Sequence, residues 1–380
     1  MRLERLLQKQ QQLKDAHLLR TLESKSRNSD SLSFCSNDYL NLASHPQVIR
    51  ALQDAATTYG LGSTGSAQIS GYTEAHQQLE HDFATFLKRD KALLFNSGYH
   101  ANMGVITTFA NRHSHVIADK LAHASIIDGI LLSRAKHRRF AHNDTQHAKK
   151  LLQENDGKKI LISESVASMQ GDIADIKTLA THAKEANAFL IVDDAHGIGV
   201  LGKHGGGICD LQQLSQTDVP CLITPLGKAI GSMGAIVSGS FEVMEIILQN
   251  ARTHRYSTAL PPSVCHATSA ALKVLIKEPN RKQHLDTLIL FFNKEAMARN
   301  LPLFSLDLTP IKSIILRSNA LTLHIQQKLQ QQKIAIAAIR PPTVPLDQAC
   351  IRISLNYTHT TAQITHLLDL IQENLHERSQ

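Results

Sequence analysis

The sequence predicts an α/β protein with a mostly parallel central sheet, helices on both faces, and a smaller α+β unit at the carboxyl end. From about residue 45 to residue 270, short runs rich in Ile, Leu and Val alternate with helix-like segments such as EAHQQLEHDFATFLKR and ADIKTLATHAKEAN. Strands that alternate with helices are typical of a parallel sheet covered on both sides. Near residue 270 this alternation gives way to a different order of helices and strands.

The elements follow in order along the chain. We predict a polar amphipathic helix over residues 1–25 and then an extended piece, LSFCSNDYLNL. The strand-like runs of the large unit are KALLFNSG, HVIADK, KKILISESV, AFLIVDDAHG, CLITPLGK and AIVSGS. The last unit reads as a helix over about 281–297, strand KSIILR, helix ALTLHIQQKLQQQ, strands IAIAAIR and CIRISL, and a final helix. These patterns predict three parts: 1–44, 45–270 and 271–380.

Composition limits the classes of function. The chain has 380 residues, 40 Lys and Arg against 33 Asp and Glu, and a formal charge of +7. This excess is consistent with an ordinary solvated surface, and it also suits a phosphorylated or acidic partner. The chain has no tryptophan and no basic block with interleaved aromatics, which argues against nucleic-acid binding.

Cysteine usage and hydropathy indicate the compartment. Five scattered cysteines without a CxxC pair indicate reduced thiols in a cytoplasm, and argue against a disulfide framework or a zinc site. The start, MRLERLLQKQQQLKD, lacks the apolar core of a signal peptide, and no apolar run approaches the length of a membrane span. We therefore expect a cytoplasmic protein without membrane attachment.

Two glycine-containing segments have patterns found in phosphate-binding turns. GLGSTG (60–65) matches G-x-G-x-x-G, but a helical pattern precedes it where the dinucleotide fingerprint needs a strand, and SAQISGY after it is predicted as non-helical where the fingerprint needs a helix. We interpret it as a glycine-rich loop that lines a pocket. The pattern of LLFNSGYHANMGVI predicts a strand, a tight turn and a helix. The amino terminus of this helix is either a phosphate-binding site or part of an ordinary βα turn.

Charged residues follow two of the apolar strands. Asp193 and Asp194 end the strand AFLIVD, with His196 just beyond, and Lys228 follows the strand CLITPL among small and apolar residues. A parallel sheet brings both strand ends to the edge where ligands bind. Asp-Asp-x-His could bind a metal, but no convincing further ligand lies nearby in the sequence. A carboxylate there could instead face a cationic ring nitrogen.

An ordered series of motifs runs through nearly the whole chain: SNDYLNL, GSTGSAQISGYTEAHQQLE, FNSGYHAN, DKLAHASIIDG, ESVASMQGD, VDDAHGIGVLGKHGGG, LGKAIG, YSTALPP and AIRPPTVP. Together they resemble the α-oxoamine synthases, fold-type-I pyridoxal phosphate (PLP) enzymes that condense an amino acid with an acyl thioester. The stretch AIRPPTVP and the amino-terminal helix are most similar to one branch. That branch joins L-alanine to a pimeloyl thioester, on CoA or an acyl carrier protein, to form 8-amino-7-oxononanoate in biotin synthesis.

The resemblance implies a role for each residue that matches a family motif. Lys228 matches the lysine that forms a Schiff base with PLP and later removes the Cα proton. Asp193 matches the partner of the pyridine nitrogen, and His196 the partner of the phenolic oxygen. His123, in LAHAS, matches the histidine stacked over the cofactor ring and is counted with Lys228 and Asp193 as catalytic.

The family also implies further contacts. The remaining cofactor contacts fall on Gly98, Tyr99 and Ser168. Arg352, in CIRISL, matches the arginine that grips the amino-acid carboxylate, since a guanidinium fork fits a carboxylate with two hydrogen bonds. Thr343 and Arg20, with His123, match substrate contacts. The implied assembly is a homodimer with a seven-stranded, mostly parallel sheet in the PLP-binding domain, and no metal is implied.

One departure concerns the cofactor phosphate. The family usually has a threonine three residues before the lysine, where this chain has Pro225, which lacks a hydroxyl and an N–H group. We expect Thr224, or YSTALPP of a second subunit, to supply the missing contact. The alternatives are a glycine C-acetyltransferase, a 5-aminolevulinate synthase, or a catalytically silent interaction subunit, and the retained Lys228, Asp193, His123 and His196 argue against the last of these.

Overall fold

The computed structural model describes residues 3–16, 18–19 and 31–376. They form two compact units. The larger comprises Asn37–Ser168 and Asp172–Leu285, and the smaller comprises the described residues of Met1–Ser36, Met169–Gly171 and Asp286–Gln380.

The helices are, in chain order, α1 (Leu3–Asp15), α2 (Pro46–Tyr59), α3 (Glu74–Phe86), α4 (Gly98–Phe109), α5 (Ala124–Ser133), α6 (Thr145–Gln153), α7 (Ile176–Glu185), α8 (Ile208–Gln212), α9 (Phe241–Asn250), α10 (Arg252–Arg255), α11 (Pro262–Lys277), α12 (Asn280–Ala298), α13 (Asn319–Gln331) and α14 (Thr361–His376). The strands are β1 (Leu32–Ser33), β2 (Lys91–Phe95), β3 (His115–Asp119), β4 (Lys136–Phe140), β5 (Lys159–Glu164), β6 (Ala188–Asp193), β7 (Cys221–Pro225), β8 (Ala235–Gly239), β9 (Ile311–Ile315), β10 (Ile334–Ala335), β11 (Ala337–Ile339) and β12 (Cys350–Ser354).

The larger unit is built on a seven-stranded sheet in the order β2-β8-β7-β6-β5-β3-β4. Strands β4, β3, β5, β6 and β7 run parallel, and β8 is antiparallel to both of its neighbours. The predicted α/β class with a mostly parallel sheet is therefore confirmed. Because the parallel strands share a direction, their carboxyl ends, with Asp119, Glu164 and Asp193, meet at one edge.

The core explains why the apolar runs become central strands. The strand side chains Val116, Ile160 and Ile191 are fully buried, and they pack with Val105 of α4 and Ile126 of α5 in one cluster. Burial of each such side chain contributes roughly 1.5–3 kcal/mol to stability.

Strand β4 is the member that the hydrophobic pattern missed. Its sequence is KHRRF, and only Phe140 is buried, because β4 lies at the end of the sheet and pairs with β3 alone. Lys and Arg on an edge strand discourage pairing with other chains. The strand is therefore polar for a physical reason that an apolar-run criterion cannot detect.

The smaller unit contains an antiparallel sheet in the order β11-β12-β9 and a short parallel pair of β1 with β10. The predicted run IAIAAIR divides between these two sheets as β10 and β11. Phe34, just after β1, stacks on His359 with 4.1 Å between ring centroids. This arrangement confirms the expected α+β character of the carboxyl-terminal region.

Two local predictions need correction. Helix α1 ends at Asp15, since the amides of Leu18 and Leu19 both donate to the carbonyl of Leu13 and close the helix, and residues 20–25 of the predicted helix lie outside the described residues. SAQISGY, predicted as non-helical, contains a π-helical turn at Ala67–Gly71, in which successive amides donate to the carbonyl of Ser66. Within the described ranges, no helix is both long and apolar enough to cross a membrane.

Candidate active site

Asp193 lies at the carboxyl end of β6 and is 4% exposed. Its Oδ2 accepts a hydrogen bond of 2.7 Å from Asn102 Nδ2, and its Oδ1 accepts one of 3.0 Å from the amide of Ala195. Asn102 belongs to α4, so the helix after β2 and the strand end are joined directly. A buried carboxylate with one fixed orientation can meet a cationic group of a ligand.

Lys228 follows β7, the parallel neighbour of β6, and is partly buried. Its carbonyl accepts from the amide of Gly231 at 2.7 Å, and the amide of Leu226 donates to the carbonyl of Gly234 at 2.9 Å. The lysine thus sits in a compact turn between β7 and β8. As the strand order predicts, Asp193 and Lys228 are carried to the same edge of the sheet.

His123 caps the amino terminus of α5, and its Nδ1 lies 2.7 Å from Ser125 Oγ and accepts from the Ser125 amide at 3.2 Å. Burial lowers the pKa of His123; the charge of Asp193 acts to raise it and that of Lys228 to lower it further. All three groups therefore lie within electrostatic range of one another. The imidazole is uncharged at neutral pH, which suits a flat contact with an aromatic ring.

The amino terminus of α4 is next to the same edge. Ser97 Oγ accepts from the amide of His100 at 3.2 Å, and Gly98 and Tyr99 begin the helix, where an amide has no acceptor within the helix itself. A Cβ on Gly98 would lie 2.7 Å from Cγ of Pro225, so the ring of this proline covers the start of the helix. The Tyr99 ring meets His123 edge-on, with 6.4 Å between centroids.

His196 and Asp194 differ sharply in what they contact. His196 is 4% exposed, and its Nδ1 lies 2.8 Å from the hydroxyl of Tyr39. Asp194 is fully buried; burial raises its pKa to about 7, and its Oδ2 accepts from the amide of Ile208 at 3.1 Å. Gly197 and Gly207 leave no room for a Cβ beside this carboxylate. Among the residues described, no group of three or more His, Cys, Asp or Glu is arranged to hold a metal ion.

The two remaining cofactor candidates of the larger unit are placed differently. Thr224 lies inside β7, fully buried, and its hydroxyl has no partner within the residues described. Ser168 is partly buried, next to Ala167, whose amide donates to the carbonyl of Asp172 at 3.0 Å.

The substrate candidates of the smaller unit are Arg352 and Thr343. Arg352 is 5% exposed in the central strand of the small sheet and donates to Ser354 Oγ at 2.9 Å. Thr343 is exposed, and its amide donates to the carbonyl of Arg340 at 3.1 Å. Arg20 lies outside the described residues.

Two residues at the strand edge were missed by the sequence analysis. Asn102 orients Asp193 and also donates to Ser125 Oγ at 3.0 Å, and Glu164 Oε2 accepts from the amide of His123 at 2.8 Å. Burial, and then the charge of Asp193, raise the pKa of Glu164 to about 8. The signals were an asparagine inside the apolar helical run HANMGVI and a glutamate that ends an apolar strand, as Asp193 does.

The site can be tested for its fit to PLP. A phosphate needs open helix amides, which Gly98 and Tyr99 offer, and a pyridinium needs a buried carboxylate, which Asp193 offers. An amine must also be near, and Lys228 lies at the same edge. The donors present therefore fit the cofactor.

Comparisons with known proteins identify a matching family and similar enzymes. The family described as aminotransferase class I and II matches residues 29–371. An 8-amino-7-oxononanoate synthase from Saccharophagus degradans is 44% identical over 92% of this chain and 88% of its own length, and one from Marinobacter nauticus is 45% identical over 89% and 85%.

Solved structures agree with this grouping. An 8-amino-7-oxononanoate synthase from Francisella tularensis is 36% identical, with a TM-score of 0.82 over 92% of this chain and 99% of its own. A serine palmitoyltransferase from S. paucimobilis with a bound PLP–myriocin aldimine is 26% identical, with a TM-score of 0.91 over 99% and 98%.

Proposed function

The chain belongs to the aminotransferase class I and II family and, within it, to the 8-amino-7-oxononanoate synthases, and we propose that it joins L-alanine to a pimeloyl thioester. The reaction releases CO₂ and gives 8-amino-7-oxononanoate for biotin biosynthesis. The chain is a PLP-dependent acyltransferase, and the family expected from its motifs is confirmed. The observation that carries the proposal is the placement of a buried Asp193 and of Lys228 at the same edge of the sheet, in a chain 44% identical to such a synthase.

PLP, when bound, supplies an electron sink for the bonds broken at the amino-acid Cα. The amides of Gly98 and Tyr99 would hold its phosphate at the start of α4, and Ser168 would add a further contact. Asp193 would keep a proton on the ring nitrogen, because Asn102 and Ala195 hold its carboxylate in one orientation.

The other side chains of the edge have proposed roles that follow from their contacts. Lys228 would provide the amine to which the cofactor is attached, and would then take the Cα proton of alanine. The hydroxyl of Tyr39 holds the ring of His196 at Nδ1, and His196 would contact the phenolic oxygen of the cofactor. His123, uncharged and held by Ser125, would lie flat against the cofactor ring.

The substrate contacts of the smaller unit are part of the proposal. Arg352 would bind the alanine carboxylate through its guanidinium fork. Thr343 and Arg20 would contact the acyl substrate. The hydrogen bond to the phosphate that Pro225 cannot donate would come from Thr224 or from a second subunit, and Thr224 would need local rearrangement because its hydroxyl is fully buried.

We also propose that the enzyme is a cytoplasmic homodimer with sites between subunits. An apolar surface of the larger unit supports the dimer. The segments 60–72 and 256–259 are joined by a bridge between Ser66 and Thr258, and they expose Leu61, Ile69 and Tyr256 by 94%, 84% and 65%. Large exposed apolar patches mark interaction sites. Light scattering of the purified protein tests this, and a monomeric mass at assay concentrations would contradict it.

The visible absorbance spectrum of the purified protein, before and after addition of L-alanine, tests the proposed chemistry. We expect a lysine-linked cofactor band that shifts with L-alanine. Lys228→Ala should lose this band and turnover together, since positioned acid–base catalysis alone is worth about 10²–10⁴-fold. A link to PLP at another lysine, trapped by borohydride and located by mass spectrometry, would show that the assignment of Lys228 is wrong.

A further inference from the structure

His142 lies between two carboxylates at the same edge of the larger sheet. It follows β4 and precedes α6, and its side chain is 20% exposed. Its Nδ1 contacts Asp119 Oδ1 and its Nε2 contacts Asp172 Oδ2, each at 2.9 Å. A ring whose two nitrogens both face carboxylates binds them best as an imidazolium, with both nitrogens donating.

The charge state agrees with this geometry. Burial alone would lower the pKa of His142, but the hydrogen bonds and charges of Asp119 and Asp172 raise it to about 10. The same interaction with His142 holds the pKa of Asp119 below its usual value, against the effect of burial. At neutral pH one cation therefore lies between two anions.

Asp119 organises the segment that leads to His123. Its Oδ1 also accepts from the amide of Leu121 at 2.7 Å, and its carbonyl accepts from the amide of Ala122 at 3.1 Å. Its Oδ2 accepts from the amide of Asn143 at 3.0 Å, which ties the His142 turn to β3. The backbone just before His123 is thus shaped by one carboxylate.

Asp172 organises the segment next to Ser168. Its carbonyl accepts from the amide of Ala167 at 3.0 Å, and Val166 and Ile173 pair beside it in an antiparallel bridge. Its carboxylate also accepts from the side-chain amide of Asn143. The His142 imidazolium is therefore a direct link between the approach to His123 and the approach to Ser168.

We propose that His142 is a positioning residue: its bridge between Asp119 and Asp172 holds the His123 and Ser168 segments in one arrangement, which sets both proposed cofactor contacts together. The inference rests on the proposed function for the roles of His123 and Ser168. The bridge itself acts on this chain's own backbone, so it is testable without turnover.

The first experiment is hydrogen–deuterium exchange with single-amide resolution on the full chain, with and without PLP. His142→Gln keeps a polar side chain of similar reach but removes the cation. We expect the amides of Leu121 and Ala167 to exchange at least about tenfold faster, because a hydrogen bond to a charged group contributes about 1.5–3 kcal/mol and 1.4 kcal/mol is tenfold.

Two controls separate a local bridge from general loosening. His137→Ala removes another imidazole, five positions earlier on β4, whose Nε2 has no partner in the described chain, and both amides should keep their protection. Asp172→Asn should release Ala167 alone, since His142 still holds the Asp119 carboxylate that accepts from the amide of Leu121. Parent-like exchange of both amides in His142→Gln, or equal acceleration throughout the chain, would overturn the proposal.

The second experiment measures PLP affinity by equilibrium titration of the same variants. We expect His142→Gln to bind PLP about tenfold or more weakly, and its induced circular dichroism in the cofactor band to change, while His137→Ala matches the parent. Faster exchange with unchanged PLP affinity and dichroism would refute the positioning role. Failure of all variants and the parent to bind PLP would instead count against the proposed function.

Discussion

Gly98→Ala tests whether the amino terminus of α4 binds the phosphate of PLP. The new Cβ would stand 2.7 Å from Cγ and 3.0 Å from Cβ of Pro225, which is closer than side-chain carbons approach in folded proteins. The proline ring is rigid, so relief must come from a shift of the first turn of α4 and its amides. Overpacking of this kind costs about 1–3 kcal/mol, and we expect PLP to bind about 5- to 150-fold more weakly.

Gly227→Ala is the matched control. It lies next to Lys228, but a Cβ there meets nothing closer than 3.6 Å, so PLP affinity and the midpoint of unfolding should match the parent. Adding Pro225→Ala to Gly98→Ala removes Cγ, which makes the closer 2.7 Å contact, but keeps Cβ at 3.0 Å, so the double variant should recover part of the affinity. Absorbance titration of each variant with PLP gives the dissociation constants. Parent-like affinity in Gly98→Ala, or no recovery in the double variant, would refute the reasoning.

Other perturbations separate the remaining roles. Asp193→Asn should keep PLP bound but lose most turnover and the alanine-induced spectral change, whereas equal losses in Asp194→Asn would show that the wrong carboxylate was assigned. Asp194 has a native pKa of about 7 against 3.8 ordinarily, so the unfolded state loses its proton first and stability falls as pH rises between these values. Urea unfolding at pH 5 and pH 8 should therefore show a smaller decrease in stability for Asp194→Asn than for the parent, and an equal decrease would contradict that pKa. Arg352→Ala should weaken L-alanine binding by roughly 1.5–3 kcal/mol, and an unchanged alanine titration would exclude it as the carboxylate clamp. Pro225→Thr should tighten PLP by about 1 kcal/mol if the missing hydroxyl matters, and no gain in the titration would mean that the proline ring is needed over Gly98.

The central strands could be predicted because strands that are buried on both faces have continuous apolar sequences. Strand β4 could not, since an edge strand exposes Lys136, Arg138 and Arg139 and carries no apolar pattern. The end of α1 was also missed, because it depends on the backbone bonds of Leu18 and Leu19 and not on side-chain periodicity. The local hydrophobic pattern predicts buried elements. It does not predict exposed strands, or helix ends that are set by backbone hydrogen bonds.

The candidate site divides in the same way. Asp193 and Lys228 could be brought together from sequence, because topology places the ends of neighbouring parallel strands at one edge. Asn102, Glu164 and His142 could not be assigned, since each acts through a partner distant in sequence, such as Asn102 on Asp193 and His142 on Asp119 and Asp172. These residues become visible only when the tertiary contacts are known.

Substrate choice is the most direct test of the proposed reaction. In a competition assay, purified enzyme receives L-alanine or glycine with pimeloyl-, succinyl- and acetyl-CoA, and released thiol and product mass are measured. Discrimination between alanine and glycine should be weak, because one methyl contributes only about 1–3 kcal/mol. The methylenes of the pimeloyl chain contribute roughly 0.8 kcal/mol each when buried, so their sum should discriminate more strongly between acyl groups. We expect L-alanine with pimeloyl thioester to be preferred at least about tenfold in specificity constant over glycine with acetyl-CoA. Activity only with a pimeloyl-loaded carrier protein would keep the reaction and name the carrier, and a clear preference for glycine with acetyl- or succinyl-CoA would contradict it.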